Sequence, residues 1–214
     1  MHYDADYFNW QKNIGAFGAV ANRFLFSRYV GPDDRVVDLG CGGGFTLHDL
    51  PAKEKLGVDI NPAARESAAG FGLRVYAGVE ELPDGWATVV ISNHALEHVT
   101  APLDTLRALR AKIAPGGRIV LVVPHELPNQ KWVPGDINQH LYTWNPMTLG
   151  NLFATAGYEV VTVEVIRHCW WENDVGLLKL LGERLFRLRC TLMAYLTRNY
   201  QLRIVAKRPE REGA

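Results

Sequence analysis

Val36-Val37-Asp38-Leu39-Gly40-Cys41-Gly42-Gly43-Gly44-Phe45 is the stretch whose reading decides the fold. Its β-branched start reads as a buried strand. The strand stops at Asp38, a glycine-rich turn follows, and a helical pattern resumes through Thr46, Leu47 and Leu50. Strand, glycine turn and helix in that order make the nucleoside or phosphate corner of a doubly wound α/β sheet. Glycine lets the backbone turn tightly and lets a ligand approach with no Cβ in the way. Consecutive glycines weaken the helix start they occupy, so they need a reason. A dinucleotide corner wants G-x-G-x-x-G. Gly40 and Gly42 fit, but Phe45 stands where the third glycine belongs. A turn under a nucleoside with an amino-acid tail has no pyrophosphate to cradle and can do without that glycine.

The 214 residues suit a single domain with room for a sizeable core. An apolar fraction of 48% with 21% charged residues is that of a soluble globular chain. The net charge of +0 carries no basic excess, so no nucleic-acid partner is expected. Cys41, Cys169 and Cys190 show neither metal-ligand nor disulfide spacing, which fits a reduced, cytoplasmic chain. The polar start Met1-His2-Tyr3-Asp4 lacks a signal-peptide core. No apolar run approaches the roughly 18 residues that span a bilayer.

Outward from the glycine turn, residues 1–31 read as an N-terminal helical cap. Phe8, Ile14, Phe17, Val20, Phe24 and Leu25 recur at helical spacing over residues 6–30, with Gly15 and Gly18 as soft points. Tyr3, Tyr7, Phe8 and Trp10 either pack on the domain or form a lid. Lys55-Leu56-Gly57-Val58-Asp59 reads as a second strand ending in an acid, about twenty residues past the first glycine, where a carboxylate meets ribose hydroxyls. Strands over 73–76, 87–92 and 118–123 alternate with helices, which predicts a parallel sheet with right-handed crossovers. Residues 124–145 form a long loop, read as the acceptor loop, at the carboxyl end of the fifth strand, where open α/β sheets bind ligands. It carries His125, Glu126, Trp132, His140, Tyr142 and Trp144. Strands over 158–166 and 201–206 close the chain, with residues 207–214 as a frayed tail.

Between those last strands, residues 174–198 read as an amphipathic helical insertion. Leu177, Leu181, Leu185, Leu188, Leu192 and Leu196 step by three or four along one face. That face must be covered by the domain itself, by a second copy of the chain, or by a membrane surface. The first two coverings are expected ahead of the third.

His94-Ala95-Leu96-Glu97-His98 matches the H-x-x-E-H pattern of inverted zinc peptidases. The segment continues an α/β strand beside a cofactor turn, which argues against that reading, and no metal is expected. His98 reads as a buried structural histidine and His94 as a residue near the cofactor.

Together these motifs resemble class I S-adenosylmethionine-dependent methyltransferases of the type-11/23 kind. The residues that carry the likeness are Asp38 to Gly44, Gly57-Val58-Asp59, Ser92 to Val99, Leu109 to Val123 with Pro115-Gly116-Gly117, and Gln139 to Trp144 with Leu152 to Tyr158. The flavour is similar to enzymes of polysaccharide and cell-envelope biosynthesis. The resemblance implies a doubly wound, Rossmann-like seven-strand sheet whose last strand runs antiparallel. It implies S-adenosylmethionine, with S-adenosylhomocysteine as product, held by Asp38, Gly40, Gly42, Gly44, Asp59, Ile60, Glu80, Ser92, Asn93 and His94. The family often has an acid after the third strand, where this chain has Gly78, so Glu80 or backbone must serve. It often has Phe-Asp entering the fourth strand, where this chain has Ala87-Thr88. The acceptor is expected to be a small molecule, on a sugar or envelope-precursor hydroxyl. Such a hydroxyl must lose its proton, and His125 or His140 is a suitable base. The rivals are a nicotinamide-dependent oxidoreductase, disfavoured by Phe45, and a catalytically idle cofactor-binding scaffold.

Overall fold

The computed structural model describes the backbone of residues 5–127 and 129–210 and the side chains of residues 14–127, 129–171 and 173–210. The aromatic group Tyr3, Tyr7, Phe8 and Trp10 lies outside the described side chains.

Seven strands form one sheet: β1 (Arg35–Leu39), β2 (Glu54–Val58), β3 (Arg74–Tyr76), β4 (Ala87–Asn93), β5 (Ile113–His125), β6 (Glu159–Ile166) and β7 (Tyr200–Lys207). Their order is β3-β2-β1-β4-β5-β7-β6. The first five pair in parallel, and β7 runs antiparallel to both β5 and β6. This is the doubly wound, Rossmann-like arrangement with an antiparallel last strand. The central strands are continuous apolar runs because both faces are covered. Val89, Val90 and Ile119 to Val123 are all buried. The chain winds outward from β1 to β3, then returns to β4 on the other side of β1. Ligands bind at such a reversal, over the carboxyl ends of β1 and β4.

Among the described residues six helices flank the sheet: α1 (Ala5–Asn22), α2 (Phe45–Asp49), α3 (Pro62–Ala69), α4 (Pro102–Lys112), α5 (Pro146–Thr155) and α6 (Val175–Thr197). Pro62, Pro102 and Pro146 occupy first helical positions, where a missing N–H costs nothing. Asn61 and Asn145 cap α3 and α5 by accepting from the amides of Ala63 and Thr148.

Four expectations need correction. The N-terminal helix ends at Asn22 and continues to Tyr29 only as two single 3-10 turns. The β5 strand begins at Ile113, so Pro115-Gly116-Gly117 is a bulged entry into the strand, not merely a helix stop. The tail is not frayed from Lys207: Arg208 donates its amide to the Gly117 carbonyl and accepts from the Gly116 amide. Of the expected leucine face of α6, Leu177 and Leu181 pack on the domain, but the four that follow do not cover it. Leu185, Leu188, Leu192 and Leu196 are 56–69% exposed, while Phe186, Cys190 and Ala194 are buried on the opposite face. Phe186 and Cys190 pack against Phe17 and Ala21 of α1. The helix also kinks at Gly182, whose φ of 70° favours glycine.

Candidate active site

The glycine turn is held open by an acid. Asp59 accepts from the Gly42 amide through one carboxylate oxygen and from the Asn61 amide through the other, both at 2.8 Å. One side chain thus fixes the turn after β1 to the end of β2. Gly40 has φ 72°, and a Cβ there would stand 2.5 Å from that of Ala95, so the turn passes directly under the segment after β4. Gly44 has φ 81° and turns inward, where a Cβ would strike Leu73 and Ala68. Its role is the close packing of the start of α2 on α3. Gly43 takes its place at the cleft, beside Gly40, Cys41 and Gly42.

Two acceptors face this cleft from below. Asp38 is buried at the end of β1. Burial raises its pKa well above the usual carboxylate range, and the charge of Asp59 adds to the shift. Asn93, at the end of β4, presents a buried Oδ1 with no hydrogen-bond partner among the described residues. A buried acid next to an unsatisfied acceptor calls for a cationic donor. The roof comes from α1, through Ile14, Gly15, Gly18 and Asn22, and from Trp170. Trp170 donates its indole N–H to Asn22 at 2.9 Å and meets the Phe17 ring edge-on. Gly15 and Gly18 are contact points, since Cβ atoms there would press on Phe45 and Trp170.

Not every expected cofactor residue presents its side chain to the cleft. Ser92 is fully buried and donates its hydroxyl to the Leu39 carbonyl, tying β4 to β1. Ile60 is 59% exposed just past β2. Beyond β3, Glu81 accepts from the amides of Ala77 and Gly78, so Glu80 is the exposed acid of that turn not engaged in capping it.

His94 lines the cleft and opens a histidine cluster that runs into the acceptor loop. Its φ of 54° lies in the left-handed region, an uncommon conformation for a residue with a side chain. Its ring stands 3.4 Å from Glu97 and 3.3 Å from Gln201. Burial opposes charging His94, but the hydrogen bond and charge of Glu97 outweigh it and raise its pKa, with Gln201 and Glu126 assisting. Burial alone would raise the pKa of Glu97, yet His94 holds it below its usual value. Burial lowers the pKa of half-buried His98. The His98 ring meets His140 edge-on at 5.0 Å. His140 Nδ1 lies 2.6 Å from Glu126 Oε1, and the amides of Leu141 and Tyr142 both donate to the Glu97 carbonyl. The loop is thereby pinned beside the end of β4. His125 sits apart from this pairing, with Nδ1 donating to the Trp144 carbonyl at 2.9 Å.

His94 and His98 do not share a helix face: the first directly follows strand β4 and the second lies in a single 3-10 turn. Glu97, His98 and His140 nevertheless offer three ligand atoms within 4.8 Å of one another. This grouping, and the pairing of His140 with Glu126, escaped the sequence reading.

A family model described as a methyltransferase domain matches residues 14–163. A ubiquinone biosynthesis O-methyltransferase from Xanthomonas campestris pv. campestris (strain B100) is 30% identical over 139 residues, 59% of this chain and 57% of that protein. A tRNA U34 carboxymethyltransferase from Klebsiella pneumoniae (strain 342) is 34% identical over 116 residues, 47% of this chain and 35% of that protein. The chain thus spans little more than half the length of the first relative and about a third of the second. Among solved structures, an S-adenosylmethionine-dependent methyltransferase from Archaeoglobus fulgidus superposes with a TM-score of 0.63 at 22% identity, over 90% of this chain and 94% of that one. A chain of the Haloferax volcanii complex containing the Trm112 methyltransferase activator gives 0.70 at 20% identity, over 95% and 97%. These two share the fold. The family model spans well over half of the chain, which therefore belongs to the family of class I S-adenosylmethionine-dependent methyltransferases.

Proposed function

We propose that this protein methylates a hydroxyl of a small-molecule acceptor. The observation that carries the reading is the pair of buried acceptors, Asp38 and Asn93 Oδ1, beneath a cleft floored by glycine backbone. Both suit the ammonium group of a methionine moiety. Asp59, beside the turn, is the candidate for the ribose hydroxyls, and Glu80 for the adenine. When bound, S-adenosylmethionine supplies a methyl group on a positively charged sulfur and leaves as S-adenosylhomocysteine.

The protein's own work is to position the acceptor, exclude water and take its proton. His140 is the better of the two expected bases. Glu126 accepts from Nδ1–H, which fixes the tautomer and leaves Nε2 to receive the hydroxyl proton. The carboxylate then stabilises the imidazolium that forms. His125 has only a backbone carbonyl behind it. The acceptor is a sugar or envelope-precursor hydroxyl, as the residue-level likeness implies, or a phenol, a hydroxyl whose lower pKa suits a histidine base.

Calorimetry with S-adenosylmethionine and S-adenosylhomocysteine, followed by turnover on a panel of sugars and phenols, tests this. His140→Ala should lower kcat by roughly 10²–10⁴-fold with cofactor affinity preserved. Glu126→Gln should fall between that variant and wild type. Wild-type turnover in His140→Ala would remove the base. Loss of turnover to a chelator, restored by a divalent cation, would reassign His140 to a metal site with Glu97 and His98.

A further inference from the structure

The outward face of α6 is an apolar strip with none of the described residues packed upon it. Beyond the kink at Gly182, Leu185, Leu188, Leu192, Tyr195 and Leu196 occupy one face, each 54–69% exposed. Phe186, Cys190 and Ala194 occupy the opposite, buried face. The helix is therefore apolar on two sides, and only one is used by the fold. Before the kink, Leu180 is 80% exposed, and Trp171, just ahead of the helix, is 42% exposed.

The charge around this strip selects its occupant. Residues 175–198 carry five basic residues, Lys179, Arg184, Arg187, Arg189 and Arg198, and a single acid, Glu183. Glu183 is spent on Arg23 of the same domain, 3.8 Å away. Arg189 pairs with Asp174 and lies over the Trp171 ring, and Arg187 lies over Phe24. Lys179, Arg184 and Arg198 remain as exposed cations, and Arg167 adds a fourth, its guanidinium 5.1 Å from the Tyr195 ring centre. A two-fold contact sets a patch against its own copy, so a second copy of the chain would bring this cationic rim to face another cationic rim. An anionic lipid surface meets both features at once. Leucines enter the acyl boundary, arginines meet headgroup phosphates, and Tyr195 and Trp171 sit at the interface between them.

We propose that α6 docks this protein on anionic membranes, lying in the interface without crossing it. Among the described residues no helix is long and apolar enough to cross a membrane. The segment carrying α6 leaves β6 after Ile166 and returns at Tyr200, which pairs with His125, where the acceptor loop begins. Both therefore spring from one edge of the sheet. Docking would bring a lipid-borne acceptor toward that edge, but binding is independent of which hydroxyl is methylated.

The test is co-sedimentation with phosphatidylcholine vesicles, with and without phosphatidylglycerol. Wild type should bind only the anionic vesicles and be released by salt. Leu188→Glu with Leu192→Glu should abolish binding while keeping the wild-type melting temperature and S-adenosylhomocysteine affinity. Arg184→Gln with Arg198→Gln should lower vesicle affinity by roughly thirtyfold and flatten its salt dependence. Failure of wild type to bind either vesicle overturns the proposal. So does a wild-type dimer that the leucine variant splits, or a stable complex with an acidic protein that excludes vesicles. Cofactor binding in the same samples reports separately on the methyltransferase reading.

Discussion

Asp38 is held in an unfavourable state at the floor of the cleft. Burial raises its pKa first, and Asp59 raises it further. A carboxylate with a raised folded pKa contributes stability fully present below its unfolded pKa and lost as pH rises through the folded value. At neutral pH the empty site therefore carries an electrostatic cost that Asp38→Asn removes. That variant should melt higher than wild type at neutral pH, and the gap should close in acid, where both side chains are neutral. It should also bind S-adenosylmethionine more weakly, by about 1.5–3 kcal/mol, since a charged hydrogen-bond acceptor is lost. Thermal melts across pH together with calorimetry check both signs; a variant that is less stable and binds equally well removes Asp38 from the site. The wild-type affinity should itself improve as pH rises through the Asp38 titration. Asp38 and Asp59 were legible in the sequence because each ends a β-branched strand at a fixed distance from a glycine turn. Which glycine faces the cleft was not. Gly43 and Gly44 are chemically identical, and only the backbone angles and the approach of Ala68 separate their roles. The pairing of Glu126 with His140 was equally hidden, since the two stand fourteen positions apart along the loop.

At the scale of elements, Ala87-Thr88 departs from the family's common entry to the fourth strand, and the structure gives the departure a use. The Thr88 hydroxyl donates to Asp34 at 2.8 Å and accepts from the Arg35 amide at 2.9 Å. Asp34 also accepts from the Gly31 amide and from Arg118. One carboxylate thus links the turn before β1 to β4 and β5. Burial pushes its pKa up, but the bonds from Gly31, Thr88 and Arg118 outweigh burial and lower it. The stabilisation is therefore present above the unfolded pKa and lost as pH falls through the folded one. Asp34→Asn should cost about 1 kcal/mol at neutral pH, with the deficit shrinking in acid. Melts at two pH values decide it, and a deficit that grows in acid would reverse the assignment. Helix α6 shows where element-level reading stops. Its leucine periodicity announced an amphipathic helix correctly, but Phe186, Cys190 and Ala194 recur every four residues too. A helix with two apolar faces does not declare which one the sheet will use. The strands suffered no such ambiguity, because a strand buried on both faces has no face to choose.

Over the whole molecule, the two halves of the site differ in how firmly they are held. The floor is the sheet itself, at the reversal between β1 and β4, with every strand paired on both sides there. The roof is α1, which touches α2, α3 and α6 but forms no part of the sheet. Its grip on the rest runs through Gly15 against Phe45, Phe17 against Phe186, and Asn22 accepting from Trp170. A ligand in the cleft would touch both roof and floor and so add contacts to the weaker element. Ligand binding to the folded form contributes about 2.7 kcal/mol at a hundredfold excess over Kd. That stabilisation should be read most clearly where local opening is easiest. In hydrogen exchange, S-adenosylhomocysteine should slow the amides of residues 14–22 and of the turn 40–44, while those of β5 change little below the global unfolding limit. Trp170→Phe keeps the ring contact with Phe17 but loses the bond to Asn22. It should speed exchange in residues 14–22 without ligand and weaken ligand affinity modestly, leaving the turn's own exchange unaltered. If residues 14–22 exchange at one rate with and without ligand, while the turn becomes protected, α1 is a fixed wall of the domain and not a cap that closes on what the glycine turn holds.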